Sequence, residues 1–188
     1  MDRSGPPPCA VGRTGRGGPG GTGADGLLLD LGSGAGLPGL GLALLWPDSR
    51  WLLVDGRVRS TRFLAGAVRR LGLGDRVSVV GGRAEVIAHD PHHRAAMELV
   101  VARSVSSPAV VAECAAGFLR PGGMLVVSEP PDASELRWEA GALARLGMGP
   151  VRTVESSGGF HFTVVEQQEA CPGRYPRRTG IPSKRPLF

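Results

Sequence analysis

The chain has 188 residues, 41% of them hydrophobic, which suits one domain with its own core. A net charge of +5 and an isoelectric point near 10.0 fit an anionic partner such as RNA, although a solvated basic surface has the same composition. Three distant cysteines, Cys9, Cys114 and Cys171, argue against a disulfide framework or a zinc knuckle, and neither an apolar signal core nor a run long enough to cross a membrane is present, so a reducing cytoplasmic setting is expected.

Residues 1–26 are mostly Gly, Pro, Arg and small polar residues and are expected to form a disordered arm. From Leu27 the pattern alternates. "LLLDL" is a predicted strand, and "LPGLGLALLW" a buried helix with Pro38 near its first turn. "WLLVD" is a second strand. Val58, Thr61, Leu64, Ala65, Val68 and Leu71 recur at helical steps among arginines, which predicts an amphipathic helix. "RVSVV" and "ELVVA" are further strands. Ser107-Pro108 opens a helix running to Leu119, and Pro121-Gly122-Gly123 is expected to stop it before the strand "MLVVS". Asp132 and Glu135 have capping-box spacing ahead of a helix through Leu146. "VRTVES" and "FHFTVVEQ" read as a closing strand pair joined by "SGG". Residues 27–168 thus form one α/β domain, a mostly parallel sheet with helices on both faces and an antiparallel last strand. Residues 169–188 form a basic, irregular tail. "HDPHH" (His89, Asp90, His92, His93) reads as an exposed loop and no metal is expected; Cys114 reads as core packing.

The run after the first strand, "DLGSGAGLPG", raises the question of a ligand, because sheets of this kind bind small molecules beyond the carboxyl ends of their strands. Gly34, Gly36 and Gly39 fit the dinucleotide pattern G-x-G-x-x-G, but it begins two residues late. Asp30, Gly32, Gly34 and Gly36 fit D-x-G-x-G-x-G instead. A pyrophosphate prefers bare amides and a helix N-terminus, whereas a cationic donor gains from a carboxylate such as Asp30. Asp55 ends the second strand, where it can accept from ribose hydroxyls in either case.

The D-x-G-x-G-x-G loop resembles the first motif of class I methyltransferases, which bind S-adenosyl-L-methionine. Together, "DLGSGAGLPG", "VD…RFL", "GRAE", "ARSV" and "YPRRTGIPSKRPL" resemble one family over residues 27–188, the bacterial small-subunit ribosomal RNA guanine-N7 methyltransferases, also called glucose-inhibited division protein B. The resemblance implies a class I, Rossmann-like fold and a cofactor site at Asp30, Gly32, Gly34, Leu37, Asp55, Ala84, Glu85 and Arg103. Arg103 is expected where donor and target base meet, as the catalytic residue. The tail cations Arg174, Arg177, Arg178, Lys184 and Arg185 are the expected RNA contacts, with ribosomal RNA or the small ribosomal subunit as partner to a monomer. Two departures stand out. The Gly/Arg arm takes the place of the family's N-terminal helical region, and "SEPPD", with Ser128 and Glu129, takes the place of a lysine after the fifth strand. The alternatives are a shortened relative that binds cofactor or RNA without transferring methyl groups, or a methyltransferase for another substrate.

Overall fold

In the computed structural model, which describes residues 26–130 and 137–188, the apolar runs of the sequence are strands. The elements are β1 (Leu27–Leu31), α1 (Gly39–Leu45), β2 (Arg50–Asp55), α2 (Val58–Arg70), β3 (Val77–Gly81), α3 (Ala84–Ile87) and β4 (Met97–Arg103). They continue with α4 (Pro108–Phe118), β5 (Leu119–Glu129), α5 (Ala140–Arg145), β6 (Met148–Glu155), β7 (His161–Gln167) and α6 (Ile181–Lys184). One seven-stranded sheet has the order β3-β2-β1-β4-β5-β7-β6. Strands β1 to β5 are parallel; β7 runs antiparallel between β5 and β6, the reversed ending expected from the sequence.

The alternation of side chains across each strand sorts the core into two layers. Leu29, Leu31, Leu52 and Val54 face one side with Val111, Ala115 and Phe118 of α4. Leu28, Trp51 and Leu53 face the other with Leu40 of α1 and Leu64 and Val68 of α2. Burial on both faces is why the strands read as continuous apolar runs rather than as alternating ones. The strand order reverses between β1 and β4, so their following loops diverge and leave a crevice at the carboxyl edge.

Four details differ from the sequence reading. Helix α4 ends at Phe118, and Leu119 already pairs with Met97 in β5. Pairing then breaks and resumes at Leu99–Met124, so Pro121-Gly122-Gly123 is a bulge inside the strand rather than a stop before it. Helix α5 is short and capped by Glu139, whose carboxylate accepts from the amides of Gly141 and Ala142; the Asp132–Glu135 box lies outside the described residues, as do residues 1–25 of the arm. Finally, the tail is not an irregular appendage. It contains the one-turn α6, and Tyr175, Cys171, Leu187 and Phe188 pack into the α4-side core.

Candidate functional site

The loop after β1 is shaped by three glycines with left-handed backbone, Gly32 at φ 69°, Gly34 at φ 54° and Gly36 at φ 93°. Gly32 is doubly constrained, because a Cβ there would stand 2.8 Å from both methyls of Val105. Gly39 serves close packing instead: a Cβ would fall 2.6 Å from Asp30 Oδ2 and from Leu53, so only glycine lets α1 settle this near β1 and β2.

Asp30 holds the loop from below. It is 1% exposed, its Oδ2 accepts from the Gly39 amide at 2.9 Å, and its carbonyl accepts from Ser33 Oγ at 2.8 Å. Burial pushes its carboxyl up to about 6, against the opposing pull of the Gly39 and Ser33 hydrogen bonds and the charge of Arg103. Asp30 lies between Leu29 and Leu31 and therefore points to the α1 side of the sheet, whereas Leu31 lines the cavity above.

Asp55, at the end of β2, grips the loop from the other side. Its Oδ2 accepts from the Gly34 amide at 2.8 Å and its Oδ1 from the Arg57 amide at 2.8 Å. Burial works to raise its pKa, but the amides of Arg57 and Gly34 and the Arg57 guanidinium together hold it below the usual carboxylate value. Glu85, in the first turn of α3, is buried and its Oε1 accepts from Arg83 Nη2 and from the Gly180 amide, both at 3.0 Å. There too burial raises and hydrogen bonds win, leaving the carboxyl lowered.

These groups surround a half-open cavity of about 180 Å³ beyond β1, β2 and β3. Of the residues that the resemblance implies for the cofactor site, Gly32, Asp55, Ala84 and Glu85 line it. Asp30 and Gly34 do not line it but shape the loop beneath, and Leu37 is an exposed loop side chain away from it. The sequence reading missed Gly56, Arg83, Val105, Ser106 and Ser183. Gly56 directly follows β2, and Arg83 precedes α3 just past the end of β3, positions that could have found them; Ser183 lies inside the tail motif "YPRRTGIPSKRPL" but has no local signal of its own. Cys114 is core as expected, though it also floors the cavity; burial first, then Glu85 and Glu113, push its thiol up to about 12, so it stays protonated.

Ser106 and Val111 also line an adjoining cavity of about 430 Å³ beyond β4 and β5. Arg103 lines this second space, makes no ion pair among the described residues, and is followed by Ser104 in left-handed backbone at φ 53°. Glu129, in the stretch that takes the place of the family's lysine, is fully engaged. Its carboxylate accepts from Arg137 Nη1 at 2.7 Å, Trp138 Nε1 at 2.9 Å and Thr163 Oγ1 at 3.2 Å.

The tail cations divide. Arg177 turns inward, with its Nε and Nη2 bidentate on fully buried Glu113, at 2.9 and 2.7 Å. Arg174, Arg178, Lys184 and Arg185 are exposed and unpaired with any carboxylate among the described residues. Arg174 and Arg178 flank an open groove of about 540 Å³ with His89, Val86, Pro176 and Thr179. The "HDPHH" loop gathers no group able to hold a metal among the described residues; His89 Nε2 instead donates to the Pro176 carbonyl at 2.7 Å. No described helix is long and apolar enough to cross a membrane.

Comparison with known proteins bears on what this arrangement does. Residues 22–143 match the family model described as rRNA small subunit methyltransferase G. The ribosomal RNA small subunit methyltransferase G of Deinococcus deserti is 39% identical over 168 residues, 86% of this chain and 68% of that protein. The Rubrobacter xylanophilus protein of the same name is 36% identical, covering 87% of this chain and 66% of its own, and the Deinococcus radiodurans one 37%, covering 85% and 65%. The chain thus spans about two thirds of the length of these relatives. Among solved structures, the antibiotic-resistance methyltransferase Kmr superposes with a TM-score of 0.60 at 20% identity, over 77% of this chain and 88% of that one. A SAM-dependent O-methyltransferase from Thermotoga maritima also gives 0.60, at 14% identity, over 80% and 61%. At such identities the likeness is one of fold, the class I Rossmann-like methyltransferase sheet.

Proposed function

The chain belongs to the rRNA small subunit methyltransferase G family, and from that premise we propose that it moves a methyl group from S-adenosyl-L-methionine to guanine N7 of small-subunit ribosomal RNA. The observation that carries the reading is the cavity beyond β1, β2 and β3, walled by the buried carboxylates Asp55 and Glu85 and floored by a glycine loop. Such walls offer acceptors to the hydroxyls and amino group of an adenosine and suit one bearing positive charge.

When bound, the cofactor supplies an electrophilic methyl carbon on a positively charged sulfur. Asp55 has lone pairs left after holding Gly34 and Arg57, and these accept from the ribose hydroxyls. Glu85, fixed by Arg83 and Gly180, accepts from the adenine amino edge, and Ala84 offers its backbone beside it. Gly32 lets the main chain approach without a side chain intervening. Guanine N7 carries a free lone pair at neutral pH, so no side chain need remove a proton. Transfer would form the N7–carbon bond as the carbon–sulfur bond broke, with the electron pair leaving on the sulfur, while Asp55, Glu85 and Gly32 would hold the donor in place. What the chain must supply is alignment, worth roughly 7 to 11 kcal/mol at best. Arg103 lines the second cavity, which adjoins the first at Ser106 and Val111, and holds the incoming nucleotide by a phosphate or by guanine O6, since a donor on N7 itself would block attack. Arg174, Arg178, Lys184 and Arg185 bind neighbouring phosphates.

The test is transfer of labelled methyl from S-adenosyl-L-methionine to deproteinised small-subunit RNA and to assembled small subunits, with the product nucleoside identified by mass. The proposal expects N7-methylguanosine, lost in Arg103→Ala while cofactor affinity is retained. Cofactor binding without transfer to either substrate would refute the enzymatic reading.

A further inference from the structure

The sequence suggests a division of labour, with the β1–β3 loops holding cofactor and the tail holding RNA. The geometry divides the tail itself. Arg94 donates to the carbonyls of Cys171 at 2.9 Å, Pro172 at 3.2 Å and Tyr175 at 3.0 Å, tying down the tail's start. A Cβ at Gly117 of α4 would stand 2.7 Å from Pro176, so this glycine leaves room for the tail to lie on the helix. The Glu113–Arg177 pair, completed by the Arg177 amide donating to Glu113 Oε1 at 2.7 Å, fixes the next residues. Beyond these anchors the tail reaches the cavity. Gly180 donates its amide to Glu85, and Ser183 lines the cavity directly.

We propose that the C-terminal segment from Arg177 to Ser183 is a wall of the cofactor cavity, with Ser183 touching the adenosyl group and the Gly180 amide holding Glu85 in position to bind it. The proposal rests on the methyl-donor reading above. Inward residues of the tail serve the cofactor, and outward cations serve the RNA. Gly180 and Arg177 are positioning residues, acting through Glu85 and through the path of the chain, and Ser183 is a contact residue. If the tail were only a stabilising strap, adding bulk at the exposed Ser183 would leave ligand affinity untouched.

Calorimetry of the full chain with S-adenosylhomocysteine, which binds without turnover, separates these. Ser183→Trp places an indole at the cavity wall; Ser157→Trp makes the same addition at the exposed β6–β7 turn. The expected result is a dissociation constant raised about tenfold or more by Ser183→Trp, as for overpacking a formed site, with the ligand-free melting temperature of both variants alike. In the wild type, S-adenosylhomocysteine is expected to slow amide exchange across residues 177–183. Equal affinity in the two variants, or exchange in the tail unaltered by ligand, overturns the proposal. Failure of the wild type itself to bind S-adenosylhomocysteine overturns the methyl-donor reading, and this inference with it.

Discussion

Asp30→Asn replaces a buried carboxylate by a neutral isostere that can still accept from the Gly39 amide, so it isolates the electrostatic cost of the charge under the loop. Asp30 titrates at about 6 in the folded protein against 3.8 in the unfolded chain. A carboxyl with raised pKa binds its proton more tightly in the native state, so the wild type loses stability as pH rises from 3.8 to about 6. The full loss is about 3 kcal/mol, and about 2 kcal/mol of it falls between pH 4 and pH 7.5. Asp55 and Glu85, with lowered values, act in the opposite sense and favour the fold above their unfolded pKa, but their effect is common to wild type and variant and cancels in the difference. The assay is urea unfolding of both proteins at the two pH values. Asp30→Asn is expected to gain about 2 kcal/mol relative to the wild type on going from acid to neutral pH. A difference between the two proteins that does not change with pH would refute the assignment of Asp30 as a desolvated loop anchor.

Gly32→Ala must adopt φ near 69° with its Cβ against Val105, and should lose about 2 to 4 kcal/mol of stability together with cofactor affinity; Val105→Ala should restore part of the stability by removing the clash but not the backbone strain. Glu113→Gln breaks a buried charge pair and should lower unfolding free energy by about 3 kcal/mol, measured in urea. The pair Arg174→Glu and Arg178→Glu should weaken RNA binding in a filter assay and flatten its salt dependence, with the melting temperature little changed, since neither side chain makes an ion pair among the described residues and Arg174 loses only its exposed contact over the Tyr175 ring.

The sheet was legible because each apolar run between turn signals had nowhere to go but a buried strand, and the position of Asp55 at the end of β2 and of Glu85 in the helical turn that follows β3 came with that placement. The orientation of Asp30 was legible too, in principle: alternation within "LLLDL" puts it on the side opposite Leu31, away from the cavity. The Pro121-Gly122-Gly123 bulge was not, because the same residues that end a helix also form a bulge, and only the pairing of Leu119 with Met97 decides. Least legible was the tail. Gly180 meets Glu85 across 95 residues of sequence, and Arg177 meets Glu113 across 64, contacts that no local pattern encodes. A basic, proline-bearing stretch looks the same whether it waves in solvent or lies stapled on a helix; the difference is made by Gly117, Arg94 and Glu113 elsewhere in the chain.

The central claim is that the space above Gly32, between Asp55 and Glu85, is the seat of the methyl donor. A crystal structure of the chain with S-adenosylhomocysteine tests it most directly. The account predicts ribose hydroxyls on Asp55 and the adenine edge at Glu85 beside Ser183. Ligand density elsewhere, with this crevice closed by the chain's own side chains, would contradict it.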